Sequence, residues 1–173
     1  AYWSGESDEA HRVFGTLVAN GGSDRSFTSL GRMMVAYAAA EKGDVAVCRR
    51  AAIGVQDIPL EVVHGVSWPA FRESSVALLE EAVGRQDRAI RIARRYLQCP
   101  DLPVVNVALA GVLRRAGEYA AALEMLRALR AFGEVSYVKT ATLITAAVLR
   151  RHAGHQEDAQ EPVSYTHLRA HET

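Results

Sequence analysis

Apolar side chains recur at intervals of three and four residues along most of the chain, the spacing that lines one face of an α-helix, and the alternation a strand needs is hard to find. The breaks in that pattern predict eight helices. The first runs from Asp8 to Ala19, with Ser7 as N-cap, Asp8 and Glu9 in its first turn, and Asn20, Gly21 and Gly22 ending it. The second, Phe27 to Lys42, stops at Gly43, and the third, Val45 to Ile53, stops at Gly54. A connector from Asp57 through Pro59 to Gly65 follows. The remaining five are Pro69 to Val83, Gln86 to Gln98, Pro103 to Ala116, Tyr119 to Ala131 and Tyr137 to His152. Pro69 and Pro103 stand in opening turns, where a missing N–H costs nothing, whereas Pro100 marks a stop.

Helices of three or four turns joined by short breaks must fold back antiparallel on one another. The joints also recur. Turn glycines fall at Gly5, Gly43, Gly84, Gly117 and Gly154, at spacings of 38, 41, 33 and 37 residues. Five residues after each stands a small side chain: Ala10, Cys48, Ala89, Ala122 and Ala159. Seven residues before the last four stand Ala36, Ala77, Ala110 and Ala147. Small residues at a helix crossing let two axes approach toward the short end of the usual range of about 8–10 Å. Glycine at the joint supplies the left-handed residue that ends one helix and reverses the chain. The expected helix-contact set is therefore Ala36, Cys48, Ala77, Ala89, Ala110, Ala122, Ala147 and Ala159.

The stretch Leu109, Ala110, Leu113, Gly117, Glu118, Tyr119, Ala122 and Leu126 resembles the tetratricopeptide repeat, and Pro100 falls near the proline that commonly closes one. The other copies are degenerate. Glu80 and Arg150 occupy the slot that Leu113 fills, Cys48 replaces an alanine, and the period is irregular. The resemblance spans about residues 5 to 160. It implies an all-α fold of antiparallel hairpins stacked as an α-solenoid, whose concave groove holds a peptide or a partner's helix. The full set of basic clamp residues is missing, so no binding residue carries over.

Composition narrows the functions. With 20 basic and 20 acidic side chains the formal net charge is zero, which leaves no overall field to hold a nucleic-acid backbone. Only Lys42 and Lys139 are lysines; the abundance of arginine and alanine reads as bacterial GC-rich coding. Cys48 and Cys99 are too few for a disulfide framework and are expected as reduced thiols. No apolar run approaches the roughly 18 residues a membrane span requires. Localisation stays open, with the cytoplasm as default. The start, Ala1-Tyr2-Trp3, has no initiator methionine and is expected to be truncated.

Helical spacing ceases after Glu161 and Pro162. The last eleven residues, Val163 to Thr173, resemble one reading frame of a transposase adapter used in sequencing-library preparation. The expected organisation is a repeat region over 1–162 and a non-native tail over 163–173. His167, His171 and Glu172 have the spacing of a zinc motif, but as adapter residues they carry no chemistry.

No other constellation assembles a catalytic, cofactor or metal site. His152 and His155, near Glu157 and Asp158, sit at the end of a helix, where a cation complements the dipole. His11 and His64 have no nucleophile or acid partner for triad chemistry. Arg85, Arg88, Arg91, Arg94 and Arg95 read as a solvated face, partly neutralised by Glu80, Glu81 and Asp87. Trp3 and Trp68 read as core or capping residues. The expectation is a non-catalytic protein-interaction scaffold belonging to a larger protein. Alternatives are a repeat region attached to a catalytic domain such as a glycosyltransferase, or the sensing and oligomerising part of a transcriptional regulator.

Overall fold

A computed structural model describes residues 6–20, 25–56, 58, 68–97 and 102–153. Among these, every regular element is helical: α1 (Ser7–Asn20), α2 (Arg25–Lys42), α3 (Val45–Gln56), α4 (Trp68–Ala82), α5 (Gln86–Arg94), α6 (Pro103–Arg115), α7 (Tyr119–Ala128) and α8 (Ser136–His152), with one 3₁₀ turn at Arg130–Phe132. No strand occurs among the described residues. The eight predicted helices are present, and several of their ends differ, by three or more residues at the C-termini of α3, α5 and α7.

Ser7 lies inside α1 rather than capping it, because the Ala10 N–H already donates to the Glu6 carbonyl at 2.9 Å. Gly54 does not stop α3. The helix continues to Gln56, since Val55 is fully buried and anchors the last turn. At the end of α5 the chain leaves helical geometry after Arg94 and turns through Arg95–Leu97. α7 ends at Ala128, where the Leu129 N–H takes the Leu126 carbonyl and the chain tightens into the 3₁₀ turn while Leu129 stays buried.

The chain divides into two compact units, 1–93 and 94–173. In the first, α2 is central: it packs against α1, α3 and α4, and α3 also packs on α4. The α1–α2 crossing is close because Gly31 has no side chain. A Cβ there would stand 2.9 Å from Val18 Cγ2 and 3.1 Å from the Val18 backbone nitrogen. The α2–α4 crossing is polar and aromatic. Tyr37 is fully buried, stacks on Phe71 with ring centroids 5.4 Å apart, and hydrogen-bonds Ser74 Oγ at 2.6 Å. Ser74 and Ser75 both donate to the Phe71 carbonyl, at 2.8 and 2.9 Å, so the buried hydroxyls are satisfied within one turn of helix.

The second unit has a plainer core. α6 packs against α7 and α8, and α7 against α8. Val105, Leu109, Val112, Leu113, Met125, Leu126, Leu129 and Val138 are all buried. Each such side chain contributes roughly 1.5–3 kcal/mol by leaving water. Tyr119, at the start of α7, stacks on His152 at the end of α8, with centroids 4.4 Å apart.

Candidate functional site

The joints position the helices. Gly43, Gly84 and Gly117 have φ of 69°, 83° and 84°, a region that L side chains rarely adopt. At two of them the closing hydrogen bonds correspond residue for residue. The N–H after the glycine reaches back to a carbonyl five residues earlier, Arg85 to Glu80 and Glu118 to Leu113, each at 2.8 Å. At Gly43 the carbonyl in the same slot, that of Ala39, accepts the Gly43 N–H and the Cys48 thiol, both at 3.2 Å. Cys48 is buried, and burial holds its thiol above the usual range. Asp44 then caps α3, its Oδ1 accepting the N–H groups of Ala46 and Val47 at 2.8 and 3.0 Å. The hydrogen bond from Val47 is the largest influence lowering the Asp44 pKa.

Around these joints Ala36, Cys48, Ala77, Ala89, Ala110 and Ala122 are buried. Ala147, on α8, is half-buried. Its expected contact lies beyond Gly154, and Gly5, Gly154, Ala159 and the tail 163–173 lie outside the described residues. Trp3, His64, Cys99, Pro100, His155, Glu157 and Asp158 lie outside them too.

Four residues before the joints the slot is filled by Ala39, Glu80 and Leu113, all buried. A buried carboxylate needs partners, and Glu80 has two. Arg85 pairs with it through two guanidinium nitrogens, Nε and Nη2, and Arg88 Nη1 lies 3.3 Å away. The arginine series is exposed throughout, and its member Arg94 clasps Glu118 with Nη2 at 2.6 and 2.7 Å.

The first unit also holds a feature that sequence reasoning missed. A cleft of about 310 Å³ opens among α1, α2 and α3. Its apolar wall is Val18, Val35, Val47 and Ala51; its polar lining is His11, Arg32 and Arg50. No carboxylate lines it among the described residues. Two glycines complete it, Gly15 and Gly54, both inside helices. A Cβ on Gly15 would meet nothing within 4 Å, and one on Gly54 only the aliphatic stem of Arg32 at 3.9 Å. Unlike Gly31, neither is required by packing. The sequence signal was there: a glycine in mid-helix costs about 0.5–1 kcal/mol relative to alanine, so two on neighbouring helices ask for an explanation.

A second cleft, of about 410 Å³, lies between α7, the 3₁₀ turn and α8. Leu126, Leu129, Val138 and Leu143 form its wall, and Arg127, Arg130 and Lys139 line it. Its glycine, Gly133, has a packing reason, since a Cβ there would stand 3.2 Å from the Arg130 carbonyl.

Among the described residues, no group of three or more His, Cys, Asp or Glu side chains could hold a metal ion, and no helix is long and apolar enough to cross a membrane. No family model, curated protein or solved structure matches the chain.

Proposed function

We propose that the chain is a protein-interaction scaffold, a TPR-like region of stacked helical hairpins that binds a peptide segment of a partner and performs no chemistry of its own. The observation that carries this reading is the equivalence of the joints. Three glycines of positive φ each follow a buried alanine by seven residues and precede a buried small residue by five. The packing pattern agrees with it: in the first unit α2 touches the helix before it, the helix after it and the next helix but one. That is how a hairpin stack propagates, each unit burying its apolar face on its neighbour. Apolar clefts with basic rims then provide places for an extended or helical segment to dock.

Selection of a phage-displayed random peptide library on the full 173-residue chain tests the reading. The expected result is one enriched consensus whose synthetic peptide competes the phage off. Repeated failure to enrich any consensus would overturn it.

A further inference from the structure

Resting on that scaffold reading, we infer that the α1–α3 cleft takes a peptide segment in which a carboxylate stands beside a small branched apolar side chain. The acid meets Arg32 and Arg50, and the apolar group meets the valine wall. Charge complementarity favours an acidic segment. Arg32 and Arg50 line the cleft and no acid lines it among the described residues, although the chain as a whole is neutral. Three acids of this unit are engaged elsewhere. Asp8 pairs with Lys42, Glu9 pairs with Arg12, and Asp44, whose pKa Arg50 helps to lower, accepts the N–H groups of Ala46 and Val47 at the start of α3.

The shape of the cleft points the same way. Gly15 and Gly54 weaken their helices without relieving any clash, and what their missing side chains provide is the open volume of the cleft. A binding role explains that choice; packing does not. His11 favours a peptide over a free acid. His11 Nδ1 is buried with no hydrogen-bond partner, and a peptide backbone, which carries both an N–H and a C=O, can pair with that nitrogen in either tautomer, whereas a simple carboxylate can pair with it only when it is protonated. At about 310 Å³ the cleft is near the small end for sites that enclose a whole ligand, and Arg50 is exposed at its edge. Such a space suits two neighbouring side chains of a longer segment.

The test is fluorescence polarisation with the full chain and two labelled, capped five-residue peptides, identical except for a central Val-Glu or Val-Gln. The glutamate peptide is expected to bind about tenfold tighter or better, because charge-assisted hydrogen bonds to arginine are roughly twice as strong as neutral ones. Arg32→Gln and Arg50→Gln should each remove most of that preference while leaving the circular dichroism unchanged. Gly54→Ala should weaken the peptide severalfold while the melting temperature holds or rises, an outcome that a merely structural role for the glycine does not produce. Equal affinity for the two peptides, or no binding of either up to millimolar concentration, would overturn the inference. Binding of isovalerate at this cleft, with neither peptide able to displace it, would equally overturn the choice of a peptide. A display consensus lacking an acid would sink this inference and leave the scaffold standing; no consensus at all would sink the scaffold.

Discussion

The same slot, four residues before a turn glycine, is filled by Glu80 in the first unit and Leu113 in the second, and both side chains are buried. The turns beyond them close with the same backbone hydrogen bond. What differs is the residue five positions on, an arginine after Glu80 and a glutamate after Leu113. Arg85 and Arg88 fold back to pair with Glu80, whereas Glu118 faces Arg94 and leaves Leu113 in an apolar core. The backbone device is thus indifferent to what fills the slot, provided the surroundings satisfy it. That is how a glycine turn of this kind tolerates a change in the residue that precedes it.

The strongest way to break the comparison is to exchange the slots. Leu113→Glu should unfold the second unit or cost more than Leu113→Ala, which itself should cost about 2–5 kcal/mol as a large-to-small core change. The new carboxylate would be buried without an arginine and near Glu118. Glu80→Leu should be close to neutral, because an apolar residue of similar size replaces a pair whose arginines are themselves exposed. Urea denaturation of the three variants measures the asymmetry. Equal losses at both slots would mean that the turn, not its surroundings, sets the choice.

Next in size are the joints. Gly84→Ala and Gly117→Ala should each cost about 1–2 kcal/mol, the strain of a side chain in left-handed geometry, and the two values should agree, since φ differs by only one degree. The cleft glycines should act in the opposite sense. Gly15→Ala and Gly54→Ala should each add about 0.5–1 kcal/mol in thermal or urea unfolding, because their helical backbones accept a Cβ without a clash.

The smallest effect is expected at the Asp44 cap. Its pKa is lowered in the fold, so its contribution is present above the unfolded value of about 3.9 and is lost as pH falls through the folded value. Asp44→Asn, which keeps an accepting oxygen, should flatten the fall in stability between about pH 5 and 2. An unchanged acid limb would show that the cap's charge plays no part.

The helices were legible because their apolar spacing is regular, and so was the role of glycine at 43, 84 and 117, where turns need a left-handed residue. Gly54 misled because a glycine after an apolar run looks like a stop, and only the buried Val55 beyond it holds the last turn of α3. Gly31 was invisible for the converse reason: its cause is Val18, on another helix. Glu80 stood out as a departure from the pattern, but the arginines that make it tolerable were read as a solvated face. The cleft was the least legible feature, since it needs three helices to bring His11, Arg32 and Arg50 around one space.

Amide chemical-shift mapping of the uniformly ¹⁵N-labelled chain with the Val-Glu peptide tests the account most directly. It predicts dose-dependent shifts at Gly15, Arg32, Ala51 and Gly54, on the three helices that wall the first cleft, with little change on α6. Shifts confined to α7 and α8, or none at saturating peptide, would contradict it.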